Sequence, residues 1–141
     1  MKEDIHPKMY LYKRIVEAKL FIDRNYAQKI ELENISSEAS FSKYHFLRLF
    51  KQAYGKSPHQ YLTEVRISAA KRLLEKGDAV GDVCYAVGFD SIPSFTRLFK
   101  KQMGISPKQF SLAQQKTAEQ KAKQPFQFIP NCFAESNGWN K

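Results

Sequence analysis

The sequence has no run of 18 apolar residues, and Met1 is followed by Lys2, Glu3 and Asp4 rather than by an apolar leader. Neither a membrane-spanning helix nor a secretory signal is therefore expected, and we read a cytoplasmic protein with no membrane partner. Cysteine is scarce: Cys84 and Cys132 fall in no CxxC or Cys/His pattern, so a disulfide framework or thiolate metal site is not indicated. Cys84 reads as a small apolar core residue. His6, His45 and His59 each lack a second ligand at metal spacing, and are read as surface or capping residues. No metal and no other cofactor is expected. Equally absent are GxSxG, HExxH, Walker and Rossmann glycine patterns, and no carboxylates pair on a common face beyond chance. No catalytic residue is assigned, and the chain is not expected to be an enzyme. Acidic residues are in deficit as well, 14 against 23 Lys and Arg, for a net charge of +9.

What is present is written twice. Residues 42–61, SKYHFLRLFKQAYGKSPHQY, return at 91–110 as SIPSFTRLFKKQMGISPKQF, with ten of twenty positions identical at one offset of 49. Such agreement marks an internal duplication. Each copy reads as a helix with a start and a stop. Ser42 and Ser91 stand where a side-chain oxygen accepts from an orphan N–H of the first turn. Gly55 and Gly104 stand where a left-handed residue ends a helix. Phe46, Leu49, Phe50 and Ala53 recur at the spacing of one buried face, and Phe95, Leu98 and Phe99 begin the same pattern. The opposite face carries Tyr44, Leu47, Arg48 and Lys51, or Pro93, Thr96, Arg97 and Lys100. After each glycine, Ser57-Pro58-His59-Gln60 and Ser106-Pro107-Lys108-Gln109 combine an N-cap serine, an N1 proline and an N3 glutamine, so a further helix starts at each.

The rest of the chain falls into place around the copies. A hydrophobic content of 43% with 11 Phe is enough for a core in a chain of 141 residues. Residues 1–6 are expected to fray before a helix that begins at Pro7 and ends near Asn25 or Tyr26, using Met9, Tyr10, Ile15, Val16, Leu20, Phe21 and Ile22 for packing. A short helix at 32–39, a turn at 40–42 and the first duplicated helix give a helix-turn-helix layout. A long helix over 58–76 follows, with Leu62, Val65, Ala69 and Leu73 on one stripe. Gly77-Asp78 stops it and caps a short helix at 79–87. The turn 88–91 then leads into the second duplicated helix, 92–103. Upstream the repeat continues at an offset of 48, so the second turn is one residue longer, at Asp90, and Gly88 stands where the first copy has Ser40. The expected units are a first helix-turn-helix subdomain at 7–62, a connecting helix at 58–76, a second subdomain at 78–116, and a polar extension or linker with an aromatic tail at 117–141. Residues 37–116 hold 13 Lys and Arg against 6 Asp and Glu, a net of +7, so the basic excess lies on the duplicated region. That charge selects a polyanionic partner class without naming a function.

The block GFDSIPSFTRLFKKQMGISPKQF at 88–110, with SFSKYHFLRLFKQAYGKSPHQYL at 40–62 and RISAAKRLL between, closely resembles the AraC/XylS family of bacterial transcription regulators. The resemblance covers about residues 9–115. It implies an all-α fold of two helix-turn-helix subdomains joined by a long connecting helix. Both recognition helices, at about 43–53 and 92–102, would enter successive major grooves on one side of double-stranded DNA. The family usually adds an effector-binding domain, and the expectation here is a short stand-alone member or an excised domain. An activator role, with RNA polymerase as a further partner, is implied by the family and not by the residues.

Exposed side chains near the N-terminus of a groove-bound helix reach base edges. In the first head these are Lys43, Tyr44, Leu47 and Arg48, with Arg48 the best placed for two bonds to a guanine. In the second they are Ile92, Pro93, Ser94, Thr96 and Arg97, of which Arg97 is the obvious base reader. Lys51, Lys100 and Lys101 lie further along, where phosphate contacts are natural. The helix starts at Ser57, Gln60, Ser106 and Gln109 would also turn N–H groups towards phosphate. The two heads differ and are ordered head to tail, so the expected site is asymmetric and the binding form a monomer. A helical adaptor for an acidic protein, or a non-specific DNA-binding protein, is the competing class. The tail 125–141, with Phe126, Phe128, Ile129, Phe133 and Trp139, is expected to pack on the second head, with disorder and a docking peptide for a partner as the alternatives.

Overall fold

Serine and glutamine set the start of the helix that closes each head. Ser57 Oγ accepts from the Gln60 N–H at 3.1 Å while Gln60 Oε1 accepts from the Ser57 N–H at 2.9 Å. Ser106 and Gln109 repeat the exchange at 3.1 Å in both directions. These capping boxes satisfy orphan donors reciprocally. The computed structural model describes residues 2–30 and 43–123. In those residues the chain is all-α, with α1 Lys2–Asn25, α2 Lys43–Tyr54, α3 Pro58–Glu75, α4 Val80–Ala86, α5 Ile92–Met103 and α6 Pro107–Lys123. The helix expected at 32–39, the turn with its Ser42 cap, and the aromatic tail lie outside the described residues.

Two cores form, one per head. Ile15, Ala18 and Ile22 of α1, Phe46 and Phe50 of α2, and Leu62 of α3 make the first. Ile67, Ala69, Ala70 and Leu74 of α3, Val83 and Cys84 of α4, Val87, Phe89, Phe95 and Phe99, and Phe110 of α6 make the second. The duplication extends to contacts: Phe50 meets Tyr61 at a centroid distance of 6.1 Å, and Phe99 meets Phe110, the equivalent pair, at 5.7 Å. Thus α3 is to the first head what α6 is to the second. Tyr26, just past α1, packs against both cores.

Several expectations need correction. The first helix starts at Lys2 rather than Pro7, so Pro7 stands in its second turn, where proline's fixed φ is helical but its missing N–H forfeits one i→i−4 bond. Of its expected packing residues only Ile15 and Ile22 are buried, with Ala18. Met9, Tyr10, Val16, Leu20 and Phe21 are exposed, because residues 15, 18 and 22 trace one stripe and residues 9, 16 and 20 the opposite one. Ala53 is exposed, as is Gln102 at the corresponding position of the second copy. In α3 the buried set is Pro58, Leu62, Ile67, Ala69, Ala70 and Leu74, with Val65 and Leu73 only half-buried. A single stripe does not describe this helix, since its N-terminal part serves one core and its C-terminal part the other. Asp78 does not cap α4: the N-cap is Ala79, without a side-chain bond. Instead the Asp78 N–H donates to the Leu73 carbonyl at 3.1 Å and closes α3. Of the two readings of the polar stretch from residue 114, helix extension or linker, the structure has the helix extension, which runs to Lys123.

α1 is tied to α3 by more than apolar contact. Lys19 Nζ meets Asp23 Oδ2 at 3.0 Å, and the Tyr61 hydroxyl donates to the other carboxylate oxygen. The Asp23 hydrogen bond pushes the Lys19 ammonium above its ordinary value, and burial followed by Asp23 does the same for Tyr61.

Candidate nucleic-acid interface

α2 and α5 are positioned by the same two side chains. Phe46 and Phe50, and Phe95 and Phe99, are fully buried, which turns the residues half a turn away outward. Lys43, Tyr44, Arg48 and Lys51 are exposed on α2, and Ile92, Pro93, Arg97, Lys100 and Lys101 on α5. Tyr44 is 72% exposed. Three of the residues proposed from sequence as base readers sit differently. Leu47 and its counterpart Thr96 are half-buried, because each stands three residues before a core phenylalanine and shares its flank. Leu47 packs against the first core. Ser94 is also half-buried, and its N–H donates to Ser91 Oγ at 3.4 Å. At Ser57, Gln60, Ser106 and Gln109 the capping boxes occupy one oxygen of each side chain, and the hydroxyl and amide hydrogens keep their capacity to donate.

Charge and backbone follow the same logic in both heads. Lys51 lies in the last turn of α2, and Lys100 and Lys101 in that of α5, where cations suit the negative end of the helix dipole. Gly55 and Gly104 end the helices at φ 78° and 88°. Between the heads runs an open cleft of about 640 Å³, lined among others by Lys56, His59, Gln60, Leu98 and Lys101. Lys56 pairs with Glu64 there at 2.7 Å. Among the described residues no cluster of His, Cys, Asp and Glu suits a metal ion, and no helix is long and apolar enough to cross a membrane.

One residue at the heads' junction was not singled out from sequence. Arg66, at mid-length in α3, donates from Nε to the Tyr26 carbonyl at 2.7 Å and from Nη2 to the Gln28 carbonyl at 2.9 Å. Its guanidinium also lies over Phe89, 5.8 Å from the ring centroid. Burial pushes it below its ordinary value, opposed by the Asp90 carboxylate.

The helix-turn-helix domain family matches residues 35–113, more than half of the chain. The chain belongs to the AraC/XylS family. It is 37% identical over 91 residues to the bifunctional transcriptional activator/DNA repair enzyme AdaA of Bacillus subtilis, covering 64% of this chain and 43% of AdaA. It is 32% identical over 100 residues to the transcriptional activator AarP of Providencia stuartii, covering 70% of this chain and 74% of AarP. Among solved structures it resembles the DNA-binding domain of AdpA, a global transcriptional factor crystallised with a target DNA. There the TM-score is 0.66 and the identity 28%, covering 79% of this chain and 96% of that one. The chain thus spans less than half of AdaA, and the repair activity in that name is AdaA's.

Proposed function

We propose that this AraC-family chain is a sequence-specific DNA-binding regulator of transcription that sets α2 and α5 into successive major grooves. The observation that carries the reading is the recurrence of an exposed arginine, Arg48 and Arg97, at one register of two helices whose other faces are buried alike. The connecting helix α3 has 18 residues and spans about 27 Å at 1.5 Å per residue. That length is comparable with the roughly 34 Å between major-groove sites one turn apart. The AdpA domain's structure with DNA supports the same use of the fold.

In this reading Lys43, Tyr44 and Arg48 read bases in one groove. Ile92, Pro93 and Arg97 occupy the other, with Leu47, Ser94 and Thr96 at the margin. Lys51, Lys100, Lys101 and the capped helix starts at Ser57, Gln60, Ser106 and Gln109 contact phosphates. The chain binds as a monomer to an asymmetric site, acts in the cytoplasm, and meets RNA polymerase as an activator. The names of AdaA and AarP favour activation.

Selection of bound duplexes from a random library tests the reading, using wild type, Arg48→Ala and Arg97→Ala at two salt concentrations. An asymmetric motif with two clusters about one turn apart, each relaxed only by its own alanine, supports it. If no motif emerges and all three proteins lose binding equally with salt, the chain is a helical adaptor or a non-specific DNA-binding protein.

A further inference from the structure

We infer that Arg66 is a positioning residue that locks the two heads at one separation and thereby sets the spacing of the DNA sites they read together. The inference rests on the two-headed reading above. Arg66 belongs to the connector, yet its planar fork is spent on the backbone that follows α1: Nε bonds the Tyr26 carbonyl and Nη2 the Gln28 carbonyl. The other side of the guanidinium meets the second head's turn, over the Phe89 ring and within the field of Asp90. Three segments distant in sequence therefore converge on one side chain.

Gly88 is the counterpart of that fork. It takes φ +104°, and a Cβ built there would stand 2.6 Å from the Tyr26 carbonyl oxygen and 2.7 Å from Arg66 Nε. No side chain fits between the turn and the clasp. The first copy of the repeat carries Ser40 at this place, so the duplicated sequence does not hold glycine at both turns. Close approach of the second turn to Arg66 and Tyr26 gives the second copy its own reason for one. Tyr26 adds the apolar half of the joint, because its ring packs against both cores. Arginine suits the role because it is always charged and holds two carbonyl oxygens in a fixed plane, whereas lysine offers a single point of charge.

Rigid linkage matters for a two-headed binder because the second head then binds as an intramolecular event, at an effective concentration set by geometry. The test compares wild type with Arg66→Met, Arg66→Lys and Gly88→Ala. Spin labels at Gln52→Cys and Gln102→Cys, in a Cys132→Ser background that leaves the buried Cys84 in place, report the distance between α2 and α5 without DNA. Binding is measured to duplexes carrying both selected clusters, to duplexes carrying one, and to two-cluster duplexes with one base pair inserted or removed.

Wild type is expected to give one narrow distance and to lose affinity steeply when the spacing changes. Arg66→Met and Gly88→Ala are expected to broaden or shift that distance and to weaken two-cluster binding about tenfold. They should also flatten the spacing preference while leaving single-cluster binding within about twofold, and Arg66→Lys should fall between. An unchanged distance distribution overturns the inference. So does a parallel loss on single-cluster duplexes, which marks a merely structural residue. If wild type has no spacing preference although Arg66→Met alters the distance, the two-headed reading fails and the clasp loses its function, an outcome the label measurement separates from failure of the clasp itself.

Discussion

The guanidinium of Arg48 lies 5.9 Å from the centroid of the Tyr44 ring, one turn earlier on the exposed face of α2. The second head has no such platform, since the residue one turn before Arg97 is Pro93. An exposed cation–π contact is worth about 0.5–1 kcal/mol, enough to bias the arginine's direction before DNA arrives.

Removing the platform should therefore act through the arginine. Tyr44→Ala is expected to weaken binding about two- to fivefold, with the loss confined to the cluster that the proposed pose assigns to Arg48. In a double-mutant cycle with Arg48→Ala the two losses should fall short of additivity. Strict additivity would show that Tyr44 touches DNA or packs independently of Arg48.

Core aromatics should be far less forgiving. Phe99 is fully buried, with ring centroids of Phe95 and Phe110 each 5.7 Å away. Phe99→Ala is expected to cost about 3–5 kcal/mol, as large-to-small core changes do. By contrast Val16→Lys, on the outer side of α1, should stay within about 0.5 kcal/mol. Urea unfolding midpoints decide, and comparable losses at the two positions would mean that the outer side of α1 is covered.

This contrast shows which parts of the structure could be read from sequence. The duplication specified α2 and α5, their buried phenylalanines, their glycine stops and the capped starts of α3 and α6, because each is a local pattern seen twice. Ile67 escaped because α3 changes partners along its length, and no single periodicity describes a helix shared by two cores. Arg66 escaped for a different reason. Its partners Tyr26 and Gln28 are 40 and 38 residues away and offer backbone carbonyls, which no residue type announces. Density of apolar residues misled on α1, where Met9, Val16 and Leu20 are as hydrophobic as the residues that pack but face away.

The capping boxes are separable from DNA contact. Ser106→Ala removes the acceptor of the Gln109 N–H and should cost about 1 kcal/mol of stability, as should Ser57→Ala in the first head. Replacing Gln109 with glutamate keeps the box and adds a negative charge at the same helix start. Ser106→Ala should thus lower the urea midpoint, while Gln109→Glu should spare the midpoint and weaken DNA binding through charge. If Gln109→Glu binds DNA like wild type, that helix start does not face phosphate.

Alkaline pH should loosen the joint between α1 and α3. Lys19 and Tyr61 are both raised, from ordinary values of 10.5 and 10.0, by the shared Asp23 and, for Tyr61, first by burial. A raised value means that the folded state holds the proton more tightly than the unfolded one. Their contribution is thus fully present below about pH 10 and lost as pH rises through the folded values. Unfolding midpoints taken between about pH 8 and about pH 11 should fall, and less steeply for Tyr61→Phe, which retains the ring without the hydroxyl. Equal slopes in the two proteins would remove Tyr61 from the account.

Salt dependence distinguishes residues that position the protein from residues that read sequence. Each phosphate neutralised by Lys or Arg releases condensed counterions, so log affinity falls with log salt by about 0.9 per contact. Lys51, Lys100 and Lys101 lie in the last turns of α2 and α5 and are exposed. Alanine at any one of them should lower the magnitude of the salt slope by about 0.9 and weaken all duplexes alike. Arg97→Ala, by contrast, should change the ranking of sequences at its own cluster by about 1–3 kcal/mol. Affinities of wild type and the four variants, across a salt series on matched and mismatched duplexes, place each residue in one class. Should Lys100→Ala relax sequence preference while Arg97→Ala alters only the slope, α5 is turned about its axis relative to the proposed pose, and the base-reading face runs through Lys100 instead.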